Sequence, residues 1–315
     1  MFFYLLQRLT VLAATLVAAS VIVFAVMSIL PGNAAETMLG PTATPEAVAA
    51  LTHKLGLDLP AHLRYAHWIG GALTGDFGLS YTYGSPIAPL IASSLAISAP
   101  LAALAMALAA FIALTAGVYA ADRRRRPGDA IVMAASQIGL AVPNFWLAIL
   151  LVIVFAVSLR IVPAGGFPGW GQPLTALRAL VLPAVALGVV QAAILTRVTR
   201  SAVLEALNED FMRTARAKGV SRRSALWRHA LPNALVPILT IMGLQFANLI
   251  AGAIVVENVF VLPGIGRLML QSISNRDTLV VEDCVMLIAV IVIGLNFVAD
   301  VACAAIDPRL RNPVA

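Results

Sequence analysis

Charged residues are scarce in this sequence. Only 11% of its 315 residues are Asp, Glu, Lys or Arg, whereas 61% are hydrophobic. Soluble domains carry about 25% charged residues, so the composition excludes an ordinary soluble protein and predicts a polytopic membrane protein. The net charge of +6 does not indicate nucleic-acid binding, because the basic residues stand between apolar runs, where they orient a chain in the membrane.

Cysteine and lysine are also rare. The positions of the two cysteines exclude a disulfide bond between them, and those of the two lysines exclude an ATP-binding loop. Cys284 and Cys303 stand in one apolar run, and on a helix they would be about 28 Å apart, far beyond disulfide reach. Neither Lys54 nor Lys218 follows a glycine, so the chain has no GxxxxGK[ST] loop to hold ATP phosphates. It also has no HExxH or GxSxG motif. We therefore expect no catalytic residue and no cofactor.

Three histidines fall in one polar stretch, at His53, His62 and His67. A metal site is one interpretation, but their spacings match no standard ligand pattern. We interpret them as exposed loop residues and predict no metal site.

Long apolar runs dominate what remains. Each of six runs approaches or exceeds the about 20 residues that cross a bilayer, although the fourth is short unless it continues toward Arg197 and Arg200. A signal peptide is the alternative for the first run, but the apolar core of such peptides is only about 7–15 residues long. The prediction is an all-α membrane protein with these spans: Leu9–Leu30, Ile91–Ala121, Ala130–Leu159, Leu180–Leu195, Ala234–Val256 and Cys284–Ile306.

Four residues within the runs are candidates for a transport path. Pro143 and Asn144 interrupt the third run, and a proline in a membrane helix frees carbonyls that a neighbour or water must satisfy. The resulting kink either faces the path or packs against another helix. In the last run the candidates are Asn296 and Asp300, with an interfacial position beside Arg309 as the alternative for Asp300. No carboxylate pair lies in a predicted span, which argues against a proton- or sodium-coupled carrier.

The distribution of Lys and Arg predicts the orientation. Segments 1–8, 122–129, 197–229 and 307–315 contain 15 of the 21 basic residues. Basic residues concentrate in cytoplasmic loops. Both termini and the basic segment 197–229 are therefore predicted to be cytoplasmic.

The basic stretch from Asn208 to Asn233 is predicted to form a helix, a tight break at a glycine and a second helix. Asn208 suits an N-cap, the acidic Glu209 and Asp210 suit the first turn, and Arg216 and Lys218 suit the last turn. Gly219 then ends the helix, Ser221 caps the second helix, and Pro232 marks the start of the next membrane helix.

This stretch resembles the "EAA" loop of ABC-transporter permease subunits. Its sequence resembles that of the dipeptide/oligopeptide branch in particular. Arg213 stands where the Glu that names the motif is expected. The resemblance extends from Tyr4-Leu5-Leu6-Gln7-Arg8-Leu9 to Asp307-Pro308-Arg309. It implies that the loop, within 197–232, docks on an ATPase subunit through Asp210, Phe211, Arg213, Thr214, Ala215, Arg216, Ala217, Lys218, Gly219, Leu231 and Pro232. The alternative is a basic loop that only fixes topology.

The resemblance further implies the type I ABC importer permease fold, in the bacterial inner membrane. The implied partners are a second permease of similar fold, two ATP-binding subunits and an extracytoplasmic substrate-binding protein. Peptides are the implied cargo, with nickel complexes, glutathione or opines as alternatives within the class and a self-sufficient secondary carrier as the alternative outside it. The chain is expected to divide into a first span at 1–30, an external region at 31–90 and a core permease domain at 91–315.

The orientation is testable with reporter fusions. Fusions after Leu51 and after Gly169 should report the external side, and fusions after Arg125 and after Arg222 should report the cytoplasm, because basic loops are retained inside. A cytoplasmic signal at Gly169 would show that the third and fourth spans are miscounted.

Overall fold

The computed structural model describes residues 2–29, 34–40 and 42–307, and their regular structure is helical throughout. This confirms the predicted all-α class. The helices are α1 (Phe2–Ile29), α2 (Ala34–Leu39), α3 (Pro45–Lys54), α4 (Ala61–Thr74), α5 (Ile87–Asp122), α6 (Pro127–Ala141), α7 (Asn144–Leu151), α8 (Pro173–Asn208), α9 (Asp210–Ala217), α10 (Arg222–Ser224), α11 (Leu231–Val259), α12 (Ile265–Ser274) and α13 (Thr278–Ile306). Two π-helical segments, Val152–Ser158 and Ala225–Ala230, continue α7 and join α10 to α11.

Five helices in the described part of the chain are long and apolar enough to cross a membrane. They are α1, α5, α8, α13 and the continuous helix Arg222–Val259, which comprises α10, the second π-helical segment and α11. A sixth span results if α6 is joined to Asn144–Ser158. The prediction of about six membrane helices is confirmed.

The predicted proline kink is a break. Val142 and Pro143 are extended, and the helices before and after them are bent by 98°. A proline disfavours the helical conformation of the residue before it and has no N–H to continue the helical hydrogen bonds. Helix α7 therefore starts anew at Asn144 and leaves in a different direction.

Several predicted helix ends are wrong. Helix α8 runs from Pro173 to Asn208, about 54 Å at 1.5 Å per residue, so the fourth run continues past Arg197 and Arg200, which was the predicted alternative, and begins before Leu180. Asn208 is thus the last residue of α8 and caps nothing. Helix α13 begins at Thr278 rather than Cys284. Leu30, the predicted end of the first span, lies outside the described residues.

The chain forms two compact units. Unit 1 comprises Met1–Arg8, Ala99–Leu262 and Gly294–Ala315. Within it, glycines bring α5 and α8 together: a Cβ added at Gly117 would lie 2.6 Å from the Thr199 Cβ, and one at Gly188 would lie 2.8 Å from the Ala105 carbonyl oxygen. Small residues at such contacts are how membrane helices pack without a hydrophobic driving force.

Unit 2 comprises Leu9–Ser98 and Pro263–Ile293. Its apolar core joins the start of α5 to α12 and to the start of α13. The Ser98 hydroxyl accepts a hydrogen bond of 2.8 Å from the Ile265 N–H at the beginning of α12. The buried members of this core are Ile87, Ile91, Ile265, Leu268, Val280 and Cys284.

Candidate functional site

Helix α9 ends in a Schellman motif. Gly219 has φ +82°, its N–H donates to the Arg216 carbonyl at 2.9 Å, and the Val220 N–H donates to the Ala215 carbonyl at 3.2 Å. This pair of bonds satisfies the carbonyls that the end of a helix leaves open, and the left-handed conformation at Gly219 is the one that glycine adopts without strain. The predicted glycine break is confirmed.

The second helix begins where the sequence predicts and then continues without interruption. The Ser221 hydroxyl accepts from the Ser224 N–H at 3.4 Å, which confirms Ser221 as the N-cap. The helix then runs on to Val259, with a π-helical turn closed by a hydrogen bond from the Leu231 N–H to the Leu226 carbonyl. Pro232 stands in the first turn of α11, as predicted, but α11 continues directly from the π-helical segment before it. The π turn just before Pro232 lets the helix continue.

One apolar cluster, which we call the Met212 cluster, fixes α9 to the rest of unit 1. Met212 is fully buried, although its neighbours Phe211 and Arg213 are exposed. The cluster draws residues from the last turns of α5, the last turns of α8, the π-helical segment and the start of α11. Its buried members besides Met212 are Val118, Ala121, Ala202, Val203, Ala206, Ala225, Leu226, Ala230, Ala234 and Ile238.

The side of α9 opposite Met212 is exposed. We define its outer face as Asp210, Phe211, Thr214, Ala217 and Lys218, all of which are exposed, with 40% of Phe211 accessible. Among the other predicted docking residues, Arg213, Arg216 and Gly219 are exposed as well, whereas Leu231 is half-buried against the Met212 cluster.

Ala215 lies on the other side of α9. It is half-buried and one turn from Met212, on the side that faces the cluster. Sequence analysis grouped Ala215 with the residues that contact a partner, but the structure exposes Thr214 and Ala217 more fully.

Two ion pairs brace the loops next to the cluster. Arg222 Nε is 2.6 Å from Asp122 Oδ1, and its Nη2 donates to the Asp122 carbonyl. Arg200 holds Asp129 at both carboxylate oxygens, at 2.5 and 2.7 Å, and the Arg125 N–H donates to the same carboxylate at 3.1 Å. Asp129 is buried, and removing one partner of a buried pair leaves an uncompensated charge. Sequence analysis missed both pairs, because their partners lie far apart in the chain.

The candidate path residues lie mainly along α11. The side-chain amide of Asn144 approaches Gly252, where an added Cβ would come within 2.5 Å of its Nδ2. Asn296 lies against Gly243, about 14 Å away along the axis of α11 at 1.5 Å per residue. Glycines on α11 thus allow two amide side chains to approach its backbone. Pro143, beside Asn144, is exposed.

Asp300 does not join these amides. Its carboxylate is 3.1 Å from Arg8 Nη1, and the Tyr4 hydroxyl donates to its carbonyl at 3.3 Å. Among the described residues, the partner of Asp300 is Arg8, while Arg309, named in the alternative prediction, lies outside the described residues.

Sequence analysis also missed polar residues in the middle of α11. Gln245 is buried and accepts a 2.8 Å hydrogen bond from Asn248. The signal was present in the sequence, since two amides one turn apart in an apolar run face the same side of a helix.

Comparison with known proteins identifies the chain. Residues 113–312 match the family model described as "Binding-protein-dependent transport system inner membrane component", and residues 1–114 match the model of the corresponding N-terminal region. The chain belongs to this family. It is an inner-membrane permease subunit of an ABC importer, and the family description implies partner ATPase and substrate-binding proteins.

Named relatives cover almost the whole permease. It is 38% identical over 308 residues, 98% of each chain, to a putative peptide transport system permease protein of Brucella abortus (strain 2308). A permease of the same description from Brucella melitensis biotype 1 is equally similar. The glutathione transport system permease protein GsiC of Escherichia coli (strain K12) is 39% identical over 308 residues, again 98% of each chain.

Gly219 offers a test of whether the geometry of the α9 break serves the permease. Apart from Gly219 and its two chain neighbours, no atom of the described residues lies within 4 Å of a Cβ added there, so a substitution acts mainly through backbone conformation. Gly219→Val should lower ATP hydrolysis by the assembled transporter on the order of tenfold, because a left-handed β-branched residue costs about 1–2 kcal/mol or forces the break to change. Gly219→Asn is the matched control and should stay within about twofold of wild type, since asparagine tolerates this conformation.

Both variants should be present in the membrane at wild-type abundance. Equal ATP hydrolysis by the valine and asparagine variants would show that the left-handed break has no functional role.

Proposed function

We propose that this permease moves peptides across the inner membrane. The observation that carries the proposal is 38% identity over 98% of the chain to relatives named as peptide transport permeases. The sequence of the Asp210–Gly219 segment resembles that of the dipeptide/oligopeptide branch of permeases and supports the same cargo. Glutathione is the second candidate because a relative named for it is 39% identical over the same span, and glutathione is itself a small peptide.

We further propose that α9 couples the permease to ATP hydrolysis by a partner subunit. The outer face of α9 is exposed and mixes small, aromatic and charged side chains, as a surface that docks into a groove requires. The Met212 cluster joins the opposite side to the ends of three long helices. A displacement of α9 therefore moves those helices with it, because a packed cluster of this kind does not deform continuously.

The proposed assembly has a cytoplasmic coupling loop and both termini in the cytoplasm. It pairs this chain with a second permease of similar fold and with two ATP-binding subunits. This chain itself is non-catalytic in the proposal, since its sequence has no phosphate-binding loop. Substrate reaches it from an extracytoplasmic binding protein.

For the transport path, we propose the surface of α11 that Asn144 of α7 and Asn296 of α13 approach, together with the break at Pro143. Amide side chains offer donors and acceptors to a peptide backbone without a fixed charge. Asp300 is assigned instead to holding the start of α1, because it is paired with Arg8.

Reconstitution tests the proposed cargo. Vesicles that contain this chain, its partner permease, the ATPase subunits and the binding protein should accumulate labelled dipeptides only when ATP is supplied to the ATPase side. This chain purified alone should show no saturable ATP binding at micromolar concentration. Accumulation of glutathione that dipeptides do not compete with would contradict the peptide assignment, and accumulation by this chain alone would contradict the class of transporter.

Cysteine crosslinking tests the coupling surface. Ala217→Cys, on the outer face of α9, should crosslink to an ATPase subunit and not to the binding protein. Met212→Cys is the control and should not crosslink, because Met212 is fully buried in the cluster. The native Cys284 and Cys303 are both buried and should give no background. An exposed Ala217→Cys that labels with a small thiol reagent but never crosslinks would show that α9 is not the docking surface.

A further inference from the structure

Unit 2 contains a cavity of about 480 Å³. It lies between the end of α3, the length of α4, the turn that follows α4 and the start of α13. Small-molecule sites typically measure about 300–1,000 Å³, so this cavity has the size of a binding site for a small solute. The lining residues that matter for the argument are Phe24, Arg64, Trp68, Phe77, Tyr81 and Glu282.

Glu282 lines this cavity with an unsatisfied oxygen. The residue is only 8% exposed, and its Oε1 has no hydrogen-bond partner among the residues that the structure describes. Burying a carboxylate without a partner is costly, and such atoms in folded proteins call for an explanation. The missing partner is a hydrogen-bond donor, preferably one with a positive charge.

The neighbouring carboxylate shows the contrast. Asp283 Oδ1 accepts a 2.8 Å hydrogen bond from the Trp68 indole N–H, which ties α13 to α4. Trp68 is thereby held in place beside Glu282 in the cavity wall. Asp283 Oδ2 also has no hydrogen-bond partner among the described residues, but Asp283 does not line the cavity, whereas Glu282 does.

Aromatic rings form much of the remaining wall. The Phe24 and Trp68 rings stack with centroids 6.2 Å apart, and Phe77 and Tyr81 also line the cavity. Aromatic faces attract cations, an effect that strengthens where water is excluded. A buried carboxylate among aromatic rings is suited to an ammonium group.

Arg64 places a positive charge in the same cavity. Its guanidinium carbon is 5.8 Å from the centre of the Phe24 ring. It acts on Glu282 electrostatically, yet the two side chains form no ion pair within 4 Å in the described structure. The cavity therefore presents separate positive and negative groups, the complement of a solute that carries both charges.

Hydrogen bonds within the chain hold the turn around Tyr81, which lines the cavity, in place without a ligand. Buried Asp277 accepts hydrogen bonds from the Ser80 hydroxyl at 2.5 Å, the Thr82 N–H at 2.9 Å and the Val280 N–H at 3.5 Å, and so locks the turn around Tyr81 onto the start of α13. Burial, and after it the charge of Asp277, raises the pKa of Tyr81 to about 12, so its phenol stays neutral. A preformed site loses less free energy on binding than one that must be ordered.

We propose that this cavity binds a small zwitterionic solute, with its ammonium group on Glu282 and its carboxylate on Arg64. A dipeptide with free termini is such a solute. The identification of a peptide rests on the proposed function, whereas the requirement for an ammonium group rests on the cavity alone.

Binding is measured on the assembled transporter, without ATP and without the binding protein, by titration calorimetry. The probes are alanyl-alanine, N-acetyl-alanyl-alanine and alanyl-alanine amide. Alanyl-alanine should bind saturably, and the acetylated and amidated probes should each bind at least about tenfold more weakly, the effect of losing one charged hydrogen bond.

Variants assign each end of the probe. Glu282→Gln should lose the preference for a free ammonium group, and Arg64→Gln the preference for a free carboxylate. Glu46→Gln is the matched control, because Glu46 is exposed on α3 and does not line the cavity. All three variants should assemble to wild-type abundance. The abundance of the Glu46→Gln transporter is the reference for the other two variants.

Two results would overturn the inference: wild-type transporter that binds the acetylated and free dipeptides equally, or Glu282→Gln that keeps the wild-type preference. Uptake separates this inference from the proposed function. Import of dipeptide without measurable cavity binding defeats the cavity assignment and leaves the cargo assignment standing. Cavity binding without import of any peptide defeats the cargo assignment and leaves the cavity assignment standing.

Discussion

The burial of Met212 is the contact on which the proposed mechanism depends. Helix α9 has eight residues, and an isolated helix of that length is not stable in water. It is helical here because Met212 inserts between the ends of α5, α8 and α11, and because the Schellman motif satisfies its last carbonyls. The same contact that stabilises α9 thus joins it to the membrane helices, so stability and coupling have one physical cause.

The helices that meet at Met212 are long. Both α5 and α8 have 36 residues, about 54 Å of rise, while the hydrocarbon core is about 30 Å thick. Each helix is therefore longer than the hydrocarbon core is thick, and the close approach of Gly117 to Thr199 keeps the two helices together. The helix Arg222–Val259 is continuous over 38 residues. In the proposed mechanism, motion at the base of these helices passes along continuous helices rather than through a loop.

Local signals predicted the parts of the structure that depend on local chemistry. The left-handed Gly219, the Ser221 cap and the apolar lengths of most spans follow from backbone preferences and composition, and the structure agrees with them. The proline break at Pro143 was located correctly, but its 98° angle depends on what the two halves pack against. Family resemblance added the assignment to ABC importers, which the match of residues 113–312 confirms.

The errors have a common origin in long-range pairing. Helix α8 begins before Leu180 and continues past Arg197 and Arg200, where Arg200 pairs with Asp129, a residue far away in sequence. Helix α13 begins before its carboxylates because Asp277 caps it while holding the turn at Ser80. Neither partner is visible in a local window. Glu282 and Asp283, which precede the predicted start of the last span at Cys284, therefore belong to the helix.

Asp129 and Glu282 show two outcomes of the same electrostatic constraint. Each is a carboxylate more than nine-tenths buried. Asp129 has a guanidinium at both oxygens and a backbone N–H besides, so its burial is compensated within the chain and fixes one geometry. Glu282 has an open oxygen, aromatic neighbours and a cation that remains apart from it. Asp283 Oδ2 likewise has no partner among the described residues, but of these two carboxylates only that of Glu282 lines the cavity. The open oxygen is therefore better explained by a group that arrives from outside.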